Sequence, residues 1–412
     1  MLRRNFIRAC CLSGLGLAVP LGSGRADDYQ GRFLIVVLAG GGWDPTMVAD
    51  PRGEVNRTFN EGDILTAGNI RYAPLPGASV FFNRHYQKMV VVNGINFATG
   101  SHQAGVRYCS SGHLGTGHPT LAAVYAASQA PELPLAYLTF GGYENDEGLV
   151  PAIRNLNTFV FKDIAKPDVS YGGSGRYHSE WTQGLIRQAR DAQLQAYAAT
   201  AGLPRYRQSE ESLLVVRPGI EKLGLLQAEL TELADEEHKR QAQIGMAAFK
   251  AGIGVALNVS AVSVNGGEFD SHVLHDVKQT TALVDLYEYL DFIWNEAERQ
   301  GVADRLDVVV TSDFGRTPYY DSESDGNGKG HWPIGSMIVI SNRIAQANRV
   351  VGATDEGLNA IGVDPESLEP SANGVMLTPE IVHENIRWLL GIADSLASQQ
   401  FPLRPGSDLR IF

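Results

Sequence analysis

Apolar positions along the chain follow two different periods. Arg32-Phe33-Leu34-Ile35-Val36-Val37-Leu38-Ala39 and Met89-Val90-Val91-Val92-Asn93-Gly94-Ile95 are nearly unbroken apolar runs of strand length. Such runs suit strands buried on both faces of a parallel sheet rather than strands with one wet face. Further strand patterns lie at Leu135–Phe140, Val255–Val264, Arg305–Thr311 and Ser336–Ile340. Between them the spacing becomes helical at Leu121–Ala130, Trp181–Ala199 and Thr280–Gln300. Glu221–Lys250 predicts one long amphipathic helix, with Leu223, Leu226, Leu230 and Leu233 three or four apart. Thr378-Pro379-Glu380 opens a last helix, with an N-cap residue followed by proline at the first helical position. Strands alternating with helices predict one large α/β domain with a mostly parallel sheet covered on both faces. Residues 176–251 read as a helical layer or cap on it.

In open sheets of this kind ligands gather beyond the carboxyl ends of the strands. Polar clusters fall there. Asp44 follows Gly40-Gly41-Gly42-Trp43 after the first strand, and Thr99-Gly100-Ser101-His102 follows the second. Asp270-Ser271-His272, with His275 and Asp276 behind it, follows the Val255 strand. Ser312-Asp313-Phe314-Gly315-Arg316 follows the Arg305 strand, and His331-Trp332 closes a polar loop. A carboxylate and an imidazole two residues apart can face one metal ion, and mixed oxygen and nitrogen donors suit zinc, manganese or iron better than calcium. Arg316 could steady an anion. Ser101 is a nucleophile if a metal lowers the pKa of its hydroxyl. Each cluster alone also reads as ordinary loop chemistry: a turn aspartate before proline, a capping acid, an Asp–Arg pair, surface histidines. His113 and His118 read as further ligands or as solvent-facing loop residues.

Composition narrows the field. The chain has 412 residues, 44% hydrophobic and 19% charged, with a net charge of −12. Its first residues, Leu2-Arg3-Arg4-Asn5-Phe6-Ile7-Arg8 and the apolar run Ala9–Leu21, read as a twin-arginine export signal over residues 1–26. The run is too short to span a bilayer. Without that segment the charge is −16, which argues against nucleic acid as a partner. Cys109 is then the one remaining cysteine, so no internal disulfide forms. An exported chain points to the periplasm or the cell exterior.

Taken in order, Gly-Gly-Trp-Asp, Gly-Ser-His, Phe-Asp-Ser-His, Ser-Asp-Phe-Gly-Arg-Thr-Pro and Gly-His-Trp resemble a bacterial family called domain of unknown function 1501, within the alkaline phosphatase and sulfatase superfamily. The resemblance covers nearly all of residues 27–412. It implies an alkaline-phosphatase-like three-layer α/β/α sandwich with a helical insertion and a divalent metal, zinc first, then manganese, iron or calcium. It implies Asp270, His272 and His331 as ligands of one ion, with His275 competing with His272, and Asp44 and Asp313 as ligands of a second. Ser101 takes the nucleophile position and Arg316 an anion-steadying one. Phe314 stands where the superfamily has a second-site histidine. Cys109-Ser110-Ser111-Gly112-His113 lacks the sulfatase nucleophile pattern. The implied activity is hydrolysis of phosphate or related sulfate esters, small or polymeric. The alternative is a weakly catalytic or non-catalytic protein that binds or assembles at the cell surface with a secreted partner.

Overall fold

Every residue of Phe33–Leu38 (β1) is buried, and this strand is the spine of an eight-stranded sheet. The computed structural model describes residues 29–154, 161, 175–200, 202–216, 222–230, 232–321, 327–404 and 406–412. The expected export signal lies outside them. The other strands are β2 (Met89–Asn96), β3 (Tyr137–Phe140), β4 (Ala152–Arg154), β5 (Ala256–Ser260), β6 (Leu306–Thr311), β7 (Ile334–Ile340) and β8 (Arg349–Val351). Their spatial order is β8-β2-β7-β6-β1-β5-β3-β4. In this sheet β7 alone is antiparallel to its neighbours, β2 and β6. The remaining pairings are parallel.

The helices used below are α1 (His102–Ser111), α2 (Leu121–Gln129), α3 (Glu237–Lys250), α4 (His275–Arg299) and α5 (Pro379–Leu389). Strand side chains alternate between faces. Ile35 pairs with Leu257, so Phe33, Ile35 and Leu257 share one face. That face meets α3: Phe249 stacks on Phe33 with centroids 4.6 Å apart, a contact adding about 0.5–1.5 kcal/mol beyond the area it buries. The opposite face carries Tyr137, which accepts a hydrogen bond from Asn258 at 2.7 Å and one from Thr120, the N-cap of α2, at 3.1 Å. Helices therefore cover both faces, and the chain forms an α/β/α sandwich around a mostly parallel sheet.

One element differs from expectation. Glu221–Lys250 is not one helix. A short turn, Leu226–Glu229, is separated from α3. The break is held by side chains. Gln243 Nε2 donates to the Glu232 carbonyl at 3.0 Å and its Oε1 accepts from Ala234 N at 2.8 Å, while Arg240 donates to the Ala234 carbonyl at 2.8 Å. Residues 241–249 are buried throughout, so α3 is a core helix rather than an amphipathic one.

At the amino ends of the central strands, Asp307 is closed off structurally. Arg32 grips it from 2.6 Å and Ser341 Oγ donates to it at 2.5 Å.

Two buried histidines make the fold acid-sensitive. His85 lies between Trp294 and Phe81, centroids 4.6 and 5.3 Å away, and no described residue bonds either ring nitrogen. Burial, helped by Lys88 and Arg84, lowers its pKa to about 3. Burial likewise lowers that of His383 to about 4. Both folded values lie below the unfolded value of about 6.5. The stability these rings contribute is complete above that pH and is lost as pH falls toward 4 and 3, because only the unfolded chain takes up the protons. The urea midpoint should therefore fall between pH 6.5 and 4. His85→Phe should make that fall shallower and raise the midpoint at neutral pH, by removing a buried polar group that costs about 1–3 kcal/mol when unpartnered. An unchanged pH slope in the variant would refute the assignment to His85.

Candidate metal centre

Several segments converge at the carboxyl ends of the parallel strands. After β2, Thr99-Gly100-Ser101 leads directly into α1, whose first residue is His102. Beyond β5 the chain reaches Asp270-Ser271-His272 before α4 begins at His275. β6 ends at Thr311 and is followed by Ser312-Asp313. Because β7 runs the other way, its beginning lies at this end, which places His331 there. A two-residue ribbon pairs His331 with Arg316 and Trp332 with Gly315.

The convergence brings His102, Asp270 and His331 together, with one ligand atom from each within 4.8 Å of the others. His331 Nδ1 lies 2.6 Å from the Gly100 carbonyl. A carbonyl only accepts, so Nδ1 donates and Nε2 is the ring atom turned toward the cluster. That Nε2 is 3.1 Å from Asp270 Oδ1 and 2.8 Å from His272 Nε2. His272 Nε2 is also 3.1 Å from Asp270 Oδ1. His102 repeats the pattern: its Nδ1 lies 2.6 Å from Asp313 Oδ2. Its Nε2 is buried, has no hydrogen-bond partner among the described residues and is 3.3 Å from Asp270 Oδ2. Ligand atoms packed this closely could hold a metal ion. The donor set, imidazoles whose far nitrogens are fixed by a carbonyl and a carboxylate, is the set that holds zinc and related ions.

Electrostatics agree. Burial opposes ionisation of Asp270, yet Arg316, 2.6 Å away, and His331 bring its pKa down to about 2. The carboxylate is thus charged at neutral pH. Burial, with Arg316 and neighbouring histidines, lowers the pKa of His272 against the pull of Asp270, which keeps it neutral and able to donate its lone pair.

Asp313 is near this cluster but faces away from it. Its Oδ1 accepts from Gly41 N at 3.0 Å, Gly42 N at 2.6 Å and Ser312 Oγ at 3.2 Å, and its Oδ2 takes His102. The two glycines are left-handed, φ +119° and +81°, and their successive amides form a nest around the carboxylate. The glycine loop thus encloses a protein carboxylate. Asp313 acts on the centre through His102. In Asp313→Asn the amide oxygen can keep the glycine amides, but the anchor for His102 Nδ1 is lost. Metal affinity should fall about 10–100-fold in a chelator-competition titration, and unchanged affinity would contradict this geometry.

Asp44 belongs to a separate buried network. Its Oδ1 accepts from Thr46 N at 2.9 Å and Thr46 Oγ1 at 2.6 Å; its Oδ2 faces Lys329 Nζ at 2.7 Å and His275 Nε2 at 3.0 Å. Burial raises its pKa, but Lys329 and His275 outweigh that and hold it well below the usual carboxylate range. His275 Nδ1 lies 2.9 Å from Ser271 Oγ. Ser271, His275 and Asp44 therefore line up like a nucleophilic triad, yet none of the three is exposed, so the line is scaffold.

Arg316 is fully buried. It donates to the carbonyls of Gly42 at 2.9 Å, Lys329 at 3.1 Å and Gly41, and to Asp270. Its guanidinium ties the glycine loop to Asp270. Ser101 is exposed at the N-cap of α1 with no side-chain cap bond. His113 and His118 stack on each other, centroids 3.6 Å apart, and are not members of the His102–Asp270–His331 group. Phe314 packs against His102 and His331, centroids 4.8 and 4.7 Å away. Sequence reasoning named His102 only as the neighbour of Ser101. The available signal was its place at the end of the second strand. It missed Lys329, which no pattern singles out.

The sequence profile of a family described as "Protein of unknown function (DUF1501)" matches residues 165–377. No match was found among curated proteins. Among solved structures the chain is similar to Ps i-CgsB in complex with k-i-k-neocarrahexaose (9% identity, 88% of this chain and 72% of that one, TM-score 0.37). It is also similar to the lipoteichoic acid synthase LtaP of Listeria monocytogenes (9%, 90% and 74%, TM-score 0.36). A third is a 2-O GAG sulfatase (11%, 92% and 75%, TM-score 0.32).

Proposed function

The chain belongs to the DUF1501 family, and from that premise we propose that it is an exported metal-dependent hydrolase of phosphate or related sulfate esters. The observation that carries the reading is the His102–Asp270–His331 cluster, with ligand atoms within 4.8 Å of one another at the carboxyl ends of the strands. These three residues would hold a divalent ion, zinc first, with His272 as a fourth, more exposed donor. A bound ion would supply Lewis-acid charge to an ester oxygen and to the attacking group. Gly100 and Asp313 fix the rings of His331 and His102. Arg316 holds Asp270 in place and is a positioning residue. Ser101 presents its hydroxyl at the amino end of α1, where the helix dipole favours an anion, and is the proposed nucleophile. The reading places the protein outside the cytoplasmic membrane by the twin-arginine route. No helix among the described residues is long and apolar enough to cross a membrane.

The test is metal analysis of the full chain purified from its host, followed by assay on phosphate monoesters, phosphodiesters and sulfate esters. A bound divalent ion and turnover on one of these classes is expected. Absence of both would overturn the proposal. One observation favours the second reading, a non-catalytic protein of cell-surface binding or assembly: Phe314 covers the site between His102 and His331 where an imidazole is expected. A bound ion without turnover on any ester class would favour it.

A further inference from the structure

We infer that the centre takes a single metal ion, and that the Lys329 ammonium supplies the positive charge a second ion would bring. This rests on the proposed reading of His102, Asp270 and His331 as metal donors. The resemblance in the sequence assigns Asp44 and Asp313 to a second ion, and these residues do not fit one.

Both carboxylates are fully buried, and all four of their oxygens are already engaged. On Asp44, Oδ1 takes both donors of Thr46, and Oδ2 takes Lys329 at 2.7 Å and His275 at 3.0 Å. On Asp313, Oδ1 takes the Gly41 and Gly42 amides and Ser312, and Oδ2 takes His102 at 2.6 Å. A second ion would have to displace these donors, and on Asp44 it would have to displace an ammonium. Nor, among the described residues, is there an uncommitted imidazole beside these carboxylates to complete it. Phe314 follows Asp313, and His275 is committed between Asp44 and Ser271.

Charge leads to the same count. Asp44 is matched by Lys329 and Asp270 by Arg316, which leaves Asp313 and a formal charge of −1 with the histidines neutral. One divalent ion makes the centre weakly positive, enough to attract an anionic ester. Two would leave three positive charges, with the second ion set against Asp44 and Asp313, which are fully buried and where an unpaired charge is costly.

The experiment counts ions. Full-length protein is stripped with chelator, titrated with Zn²⁺ and assayed for metal per chain by mass spectrometry, with calorimetry as the independent count. One ion per chain is expected in the parent and still one in the doubly neutral Asp44→Asn, Lys329→Met variant, whose fold is checked by its unfolding midpoint. Two ions per parent chain, falling to one in that variant, would overturn the inference and leave the metal reading standing. No bound ion in the parent would overturn the metal reading itself. Loss of the single ion in the double variant, with the fold intact, would place the ion at Asp44 and also overturn the inference.

Discussion

In His331→Ala the chain should fold normally and fail to keep its metal. The imidazole is one of three converging donors, and its Nε2 is 3.1 Å from Asp270 Oδ1. Losing a group that merely orients a ligand costs about 10–100-fold in affinity, so losing a donor itself should exceed that range. Ester turnover should fall to the uncatalysed background, because the ion supplies the charge the reaction needs. The fold should be spared. His331 packs at the rim, partly exposed, and its removal leaves Asp270 still bonded to Arg316. Unfolding in chelator should therefore be nearly the same for parent and variant. Unchanged metal content in the variant would remove His331 from the centre.

Lys329→Met should be the most destabilising single change at the site. The ammonium and the Asp44 carboxylate are both fully buried and 2.7 Å apart. Removing one partner strands the other, at a cost of about 3–5 kcal/mol. Methionine keeps the length of the side chain, so the loss measures charge rather than volume. Lys329 is a main cause of the low pKa of Asp44, and that fixes the pH behaviour. In the parent, Asp44 contributes stability above its unfolded value of about 3.9, lost only as pH falls through its lower folded value. Without Lys329 the folded pKa rises and the carboxylate protonates more readily. The gap between parent and variant should thus be widest above pH 5 and narrow on acidification. Adding Asp44→Asn should recover much of the loss, since a pair replaced on both sides leaves no buried charge. A single variant as stable as the parent at pH 7 would mean that water or another cation reaches Asp44.

The sheet was legible because its central strands are buried on both faces. β1 and β2 therefore appear as apolar runs that no amphipathic helix would show. The direction of β7 was not legible, since Ile334–Ile340 is equally apolar read either way and only its partners decide. The helix after β2 was missed for a local reason: His102-Gln103-Ala104-Gly105 lacks apolar periodicity, and Gly105 is there because a Cβ would come within 2.5 Å of the Asp313 carbonyl. That miss hid His102. The acids were visible as residue types, but which atoms they face was not. Asp44 and Asp313 stand in the same kind of loop as Asp270, yet a lysine, two histidines and two glycine amides from distant segments occupy their oxygens. Lys329 lies in a polar loop where a lysine is unremarkable until its burial is seen.

The ligands of the centre come from far apart along the chain. His102 meets Asp313 across 211 residues and His331 meets Asp270 across 61. No short segment can assemble such a set, so loops of that length must close before the ion has anything to bind. The proposed ion would then be a latecomer to folding rather than its nucleus, unlike the metal of a zinc finger. Refolding rates should not depend on added Zn²⁺, whereas unfolding in its presence should slow. A protein built this way records in its metal content whether its whole sheet has been completed.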